Sequence, residues 1–444
     1  MIEASVFNKC VRCGLCLPTC PTYLETLTET SGPRGRISLI KAVAEGDLDV
    51  LSPGFVHQMS ECLDCRACAA VCPSGVEYGE LVEAARASIA RAQAPQRPWN
   101  VRLGRWFSLK LLFSNLALMR LLASVLRTVQ RIKLDTLLER WGVLRALHLA
   151  NAQRLAPRIC ERYFVPRGQR FTSTAARRTV MLHAGCIMQV AFGQVHEATV
   201  RVLQRNGCTV VVPSGQGCCG AIAQHAGETD VACKLAQRTI ESFESSGAEL
   251  CIINAAGCGA QLKEYALLFA GDPAWQERAA AFASRVRDVL EFLDDGSVNH
   301  HDGGLASQLG PLPVSVSYQD ACHLAHAQRI VSAPRRLLRS IPQLRLLEMP
   351  ESAVCCGSAG IYNLTEPEMS ARLGRRKAAH AIEAGAQIVA TANPGCALQM
   401  GAYLREAGSS IEVKHVVELL DDSYRAYSAA ASRSRPSSAA SIEG

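Results

Sequence analysis

The 444-residue sequence predicts a multidomain α+β protein: a helical, cysteine-rich unit at the N-terminus, a helical linker, and two tandem α/β units with parallel sheets. Three observations predict it. Two short cysteine runs occupy the first part of the chain. A basic, leucine-rich stretch follows them. From residue 178 onward, short β-branched runs alternate with helical patterns, and that whole plan occurs twice.

The first unit, residues 1–92, is defined by its cysteines. One run places Cys10, Cys13, Cys16 and Cys20 before Pro21, and the other places Cys62, Cys65, Cys68 and Cys72 before Pro73. Both fit C-x2-C-x2-C-x3-C-P, the spacing of two-cluster bacterial ferredoxins. Three cysteines at i, i+3 and i+6 wrap three corners of one iron–sulfur cube. The fourth, followed by Pro, ligates the cube of the other run. The expected sets are therefore Cys10, Cys13, Cys16 and Cys72 for one [4Fe–4S] cluster, and Cys62, Cys65, Cys68 and Cys20 for the other. A zinc site would need two C-x2-C pairs closing a tetrahedron, which eight cysteines in this order fit poorly. Disulfides belong to oxidising compartments, and MIEASVFNKC has no basic region followed by an apolar run. Between the runs, Ser31-Gly32-Pro33-Arg34-Gly35-Arg36-Ile37 reads as a turn opening a helix. Arg34 and Arg36 either offset cluster charge, dock a partner, or are solvated. Tyr78–Ala92 reads as the closing helix.

Residues 93–170 form the linker. The stretch 91–170 carries 16 Lys and Arg against 3 Asp and Glu, a balance of 16 − 3 = +13, while the whole chain is +7 and the remainder therefore −6. Leucines and aromatics from Trp106 to Leu126 recur at helical spacing among Arg102, Arg105, Lys110, Arg120 and Arg127, and Leu134–Leu149 repeats the pattern. A basic amphipathic hairpin either packs on its own protein or a partner subunit, or lies on anionic lipid. No base-reading motif supports nucleic-acid binding. No apolar run long enough to span a bilayer is evident, so the expected location is cytoplasmic or peripheral on the inner face of the cell membrane.

The α/β units span 176–300 and 312–425. In the first, strands at Val180–Leu182, Thr209–Val212 and Leu250–Ile253 lead to Cys186, to Cys218-Cys219-Gly220 and to Cys258. In the second, strands at Val314–Tyr318, Leu344–Leu347 and Ile388–Thr391 lead to Cys322, to Cys355-Cys356-Gly357 and to Cys396. The four cysteines are offset by 136, 137, 137 and 138 residues, as a duplication requires. Loops after the strands of a parallel sheet gather at one edge. Cys186, Cys218, Cys219 and Cys258 should therefore converge, as should Cys322, Cys355, Cys356 and Cys396, forming candidate further metal or cluster sites. The Gly after each Cys-Cys pair permits the tight turn this needs. Cys160, Cys208, Cys233 and Cys251 have no counterparts and read as structural. His183, His323 and His326 fall near the cysteine loops and are expected to hydrogen-bond rather than ligate. Asn299–Pro313 links the copies, and 426–444 reads as a disordered tail.

Several functions are excluded. Gly215-Gln216-Gly217-Cys218-Cys219-Gly220 spells G-x-G-x-x-G, but no ribose-binding acid follows. No phosphate loop, Ser/His/Asp pattern or H-E-x-x-H occurs, so no catalytic residue is expected. The chain reads as a conductor of electrons.

Two C-x2-C-x2-C-x3-C-P runs followed by two Cys-Cys-Gly units resemble the cysteine-rich (CCG) domain family of heterodisulfide reductase, anaerobic glycerol-3-phosphate dehydrogenase and lactate-utilisation subunits. Cys16-Leu17-Pro18-Thr19-Cys20-Pro21-Thr22-Tyr23, Gly32-Pro33-Arg34-Gly35-Arg36-Ile37, Cys355-Cys356-Gly357-Ser358-Ala359-Gly360 and Thr391-Ala392-Asn393-Pro394-Gly395-Cys396 are most similar to its glycolate oxidase iron–sulfur branch. The resemblance implies a complex with FAD-binding subunits that oxidise glycolate, electron flow through the clusters to a quinone or other acceptor, and a dicluster ferredoxin-type N-terminal domain. It also exposes a departure. Heterodisulfide reductases close each cysteine-rich domain with C-x2-C, whereas here Ala255 and Asn393 stand in the place of the extra cysteine. Disulfide-reducing chemistry, the alternative function, loses its ligand set.

Overall fold

The computed structural model describes residues 4–147, 149–294, 305 and 308–433. The linker between the copies lies largely outside the described residues, as does the tail from 434 onward.

The N-terminal unit is helical. Pro21, Pro33 and Pro53 open the helices Pro21–Thr26, Pro33–Glu45 and Pro53–Glu61, where a missing N–H has no partner to lose. Helix Tyr78–Gln93 closes the unit. Ile37, Ile40, Phe55, Met59, Leu81, Val82 and Ala85 bury the shared core. Arg36 is not a solvated loop residue. It is 1% exposed and donates to Gln58 O, Thr22 Oγ1 and Glu61 Oε2 at 2.8–3.1 Å. Arg34 is more open and bonds Glu29 and the Arg12 carbonyl.

The linker differs from a plain hairpin. Trp99–Arg105 runs into a wide turn over Trp106–Leu112, and Asn115 Oδ1 then caps Leu116–Arg131 by accepting from the N–H groups of Ala117 and Leu118. The second stretch breaks into Leu134–Arg140, Val143–Ala146 and Ala150–Leu155. Lys133 and Gly142 adopt left-handed backbones before two of these pieces, at φ 55° and 73°, which stops a continuous helix. No single helix among the described residues is long and apolar enough to cross a membrane. The pair Trp99–Leu112 and Leu116–Arg131 passes only jointly and is bent by 106°.

The strands are β1 (Gln169–Phe171), β2 (Arg178–Leu182), β3 (Cys208–Val212), β4 (Leu250–Ile253) and β5 (Val286–Asp288), then β6 (Ser315–Tyr318), β7 (Arg345–Leu347), β8 (Ile388–Thr391) and β9 (Glu412–His415). The first sheet has the order β1-β3-β2-β4-β5 and the second β7-β6-β8-β9. All pairings are parallel except the edge strand β1, which runs antiparallel to β3. Strand β1 is too short and polar to stand out in the sequence. The last described element is helix Val416–Arg433, which reaches into the stretch expected to be tail.

The copies embrace about a pseudo-two-fold. Helix Gly193–Arg205 of the first packs on Val416–Arg433 of the second, and Val289–Asp294 of the first packs on Ala333–Arg339 of the second. Equivalent ion pairs mark the crossing: Arg201 with Asp421 at 2.8 Å, and Arg336 Nε with Asp294 Oδ1 at 2.8 Å.

Candidate iron–sulfur sites

Two adjacent cavities lie in the N-terminal unit. One is lined by Cys10, Cys13, Cys16 and Cys72, with Cys68 between the two. The other is lined by Cys20, Cys62, Cys65 and Cys68. The last cysteine of each run thus faces the cavity of the other run. The runs are short loops, and Arg12, Asp64, Arg66 and Gly14 take positive φ within them, which curls the chain so that successive sulfurs turn inward. Arg36 sits beside Cys20 and Cys62, so a buried cation faces sulfur ligands. Burial pushes the Cys16 thiol up to about 11 and holds those of Cys65 and Cys68 well above the ordinary range. Free thiolates are unfavourable there, and a bound metal is what makes them favourable. Soft donors in two compact cavities with a cation alongside fit iron–sulfur cubes.

In each α/β unit the four cysteines come together at the C-terminal edge of the sheet. Cys186 and Cys218 sulfurs are 3.6 Å apart, and Cys219 bridges Cys218 to Cys258. Cys322 and Cys355 sulfurs are 3.9 Å apart, and Cys356 bridges Cys355 to Cys396. Gly220 and Gly357 follow the cysteine pairs at φ 86° and 85°. A Cβ on Gly357 would lie 2.9 Å from Ser370 O and Leu373 Cβ, so close packing as well as backbone excludes a side chain there. The G-x-G-x-x-G look-alike serves the sulfur set: Gln216 is buried and ties its loop to Ala184 N–H and Leu182 O at 2.7 and 3.1 Å. The cysteines without counterparts stay apart from these sets, with Cys208 and Cys251 buried in strands. His323 and His326 bond the carbonyls of Asp64 and Ala353. His183 departs from expectation, since neither ring nitrogen has a hydrogen-bond partner among the described residues; burial lowers it to about 4 and keeps it neutral.

The N-terminal unit meets both copies. Leu63, Cys65 and Ala67 share one apolar cluster with Cys322, Cys355, Tyr362, Met369 and Leu373 of the second copy. Against the first copy the contact is ionic. Arg66 bonds Asp64, Glu83 and Glu264 at 2.8, 2.9 and 3.3 Å, and His225 Nδ1 lies 3.3 Å from Asp64 and 3.2 Å from Glu83. Burial opposes charge on His225, but Asp64 and Glu83 outweigh it and raise its pKa to about 9. Gly79 makes room for this knot, because a Cβ there would collide with the Arg66 guanidinium. The sequence does not predict this knot. Its one trace in the sequence is the pair of opposite charges, Asp64 and Arg66, inside a cysteine run.

The dicluster (4Fe–4S) family model matches residues 6–76, and the cysteine-rich domain model matches twice, over 180–263 and 316–401. Over 427 residues the chain is 39% identical to the probable glycolate oxidase iron–sulfur subunit of Bacillus subtilis (strain 168), covering 95% of this chain and 94% of that one. The chain belongs to the glycolate oxidase iron–sulfur subunit family. A second member, the glycolate oxidase iron–sulfur subunit of Escherichia coli (strain K12), is 30% identical over 94% of each chain. Lactate utilization protein A of Oceanobacillus iheyensis is 30% identical over 242 residues, 54% of this chain and 96% of that protein. The matched models cover the dicluster unit and both cysteine-rich units.

Proposed function

We propose that this chain is the electron-transfer subunit of a dehydrogenase or oxidase acting on glycolate or another 2-hydroxy acid, taking electrons from FAD-binding partner subunits and delivering them to a quinone or other acceptor. Iron–sulfur clusters supply one-electron carriage. In this reading Cys10, Cys13, Cys16 and Cys72 hold one [4Fe–4S] cluster, Cys62, Cys65, Cys68 and Cys20 hold another, and the two sets of the α/β units hold further centres. The single observation that carries it is that the four cysteine sets neighbour one another in series. Gly257, next to Cys258, lies against His323, next to Cys322; Cys322 and Cys355 adjoin Cys65; and Cys68 borders both N-terminal cavities. Purified alone, the chain should not oxidise glycolate with any dye acceptor, because its sequence carries no flavin motif and no general-base constellation. Activity should appear on addition of the flavoprotein subunits. Turnover by the flavin-free chain would sink the proposal.

The linker surface supports delivery at a membrane. More than half of the exposed large apolar side chains of the described residues lie between Trp99 and Leu149, with Trp99, Trp106 and Trp141 at 77%, 50% and 68% exposure. Tryptophan with Lys and Arg is the composition of a membrane–water interface. Some of the basic residues are already engaged: Arg105 pairs with Glu228 at 2.8 Å and Arg127 bonds the Glu161 carbonyl at 2.8 Å. The tryptophans are therefore the better handle. Replacing all three by Ala should abolish co-sedimentation of the full chain with anionic liposomes while leaving iron content unchanged. Unaltered sedimentation would assign this face to a partner subunit.

A further inference from the structure

Asn393 stands at the N-cap of helix Pro394–Glu406, where an Asn side chain ordinarily accepts from the first N–H groups of its own helix. Here it makes no such bond. Its Oδ1 accepts from the Gly257 N–H of the first copy at 3.1 Å, and its Nδ2 lies 3.6 Å from the Cys396 sulfur. A backbone N–H only donates, so the amide oxygen must face Gly257 and the NH2 group must face the sulfur. Gly257 lies in the first turn of helix Ala256–Lys263, whose own N-cap is Ala255, with no side chain able to cap. The Ala256 N–H is taken by the Ala392 carbonyl at 3.0 Å. One side chain thus caps the helix that carries Cys258 and donates to a sulfur of the other set.

Lys377 is a second, independent difference. It is 2% exposed, its Nζ donates to the carbonyls of Glu351 and Ser352 at 2.6 and 3.2 Å, and although burial lowers its pKa, the neighbouring Cys356, Cys355 and Cys396 favour its charged form. With the 138-residue offset that relates Cys258 to Cys396, Asn393 and Lys377 correspond to Ala255 and Thr239. Ala255 has no donor, and the Thr239 hydroxyl is bonded to the Leu235 carbonyl at 3.0 Å.

We propose that Asn393 and Lys377 make the two sulfur sets electrochemically unequal, raising the reduction potential of the centre held by Cys322, Cys355, Cys356 and Cys396 above that of the centre held by Cys186, Cys218, Cys219 and Cys258. This rests on the reading that both sets hold iron–sulfur centres. Each added electron places one more negative charge on the cluster and its thiolates. The side-chain N–H that Asn393 donates to a ligand sulfur and the buried Lys377 both stabilise that charge, and the corresponding Ala255 and Thr239 of the first copy supply neither. The second set is also the one that adjoins Cys65. An electron leaving the first centre, which is oxidised, and entering the second, which is reduced, moves downhill towards the N-terminal clusters, with no bond made or broken.

The test is an EPR-monitored redox titration of the anaerobically purified full chain, with iron measured in every sample and the second-set signal assigned by its loss in Cys322→Ser. Asn393→Ala and Lys377→Met should each shift the second-set potential downward, with the N-terminal clusters unmoved as an internal reference. Asn393→Asp keeps the acceptor for Gly257 but loses the donor, so its potential should fall while its thermal unfolding stays near that of the parent. Asn393→Ala should lower both. Full iron with unchanged potentials overturns the proposal alone, as does an equal fall in every centre. Wild-type iron sufficient only for two cubes overturns the underlying reading and the proposal with it.

Discussion

The two α/β copies share the order of their four parallel strands, the cysteine frame and crossing ion pairs, yet the centres of their joints with the N-terminal unit differ in character. The second copy meets it around an apolar, thiol-bearing centre, Leu63, Cys65 and Ala67 against Cys355, Tyr362, Met369 and Leu373, with the Arg376–Glu25 pair at 2.9 Å and the bond from Arg329 to the Ala70 carbonyl alongside it. The first meets it through a knot of Arg66, Asp64, Glu83, His225 and Glu264. The joint with the second copy has the drier centre, and there sulfur approaches sulfur, which suits electron transfer. The ionic joint holds position and contributes no sulfur. A duplicated fold therefore diverged in what it touches rather than in what it is.

The largest expected effect breaks the ionic joint. Arg66→Ala leaves Asp64 and Glu83 buried without their guanidinium, and removing one partner of a buried pair costs about 3–5 kcal/mol. Denaturant unfolding should show that loss. On the drier joint, Tyr362→Phe removes only the bond from its hydroxyl to the Glu61 carbonyl, about 1 kcal/mol. Equal losses would mean that the joints do not differ as described.

pH should separate them next. The folded-state pKa of His225 is raised from 6.5 to about 9. Its stabilising contribution is therefore fully present below pH 6.5 and is lost as pH rises through 9, by roughly 3 kcal/mol at most. His225→Gln should flatten stability against pH in that window. A slope that survives the substitution would assign it to another group.

Within the copies, the cysteine-pair turns give a smaller contrast. Gly220→Ala and Gly357→Ala both force a left-handed Ala, about 1–2 kcal/mol. At Gly357 the Cβ would also be 2.9 Å from Ser370 O, against 3.3 Å from Ala232 Cα at Gly220, so overpacking should add about 1 kcal/mol or more there. Thermal unfolding of the two variants decides this. Smallest of all, Arg201→Ala and Arg336→Ala should each cost about 1 kcal/mol, because both arginine side chains are half-exposed and Arg425 stays 3.0 Å from Asp421. A large difference between them would contradict the pseudo-two-fold.

The legible part of the molecule was the local part. Cysteine spacing within ten residues dictates which sulfurs can face one cavity, and strand runs such as Leu250–Ile253 and Ile388–Thr391 are found where their apolar, β-branched residues point. The duplication was legible because cysteine offsets repeat over the whole frame, and the two turn glycines follow from it. Harder to read were elements with little local preference: β1 is three residues long, and the second linker stretch fails at Lys133 and Gly142 although its leucines keep helical spacing.

What the sequence alone determined, then, is the inventory and the connectivity: eight cysteines in ferredoxin spacing, two sets of four, parallel sheets, and a basic linker. Only the tertiary structure decided how Arg36, Asn393, Lys377 and His225 are used. Each lies far along the chain from at least one of its partners, with Asn393 136 residues from Gly257 and His225 161 residues from Asp64 (225 − 64). A local pattern carries no information about such contacts, because burial and charge pairing depend on which surfaces meet after folding. The same separation explains why two copies with one cysteine pattern came to have unlike surroundings.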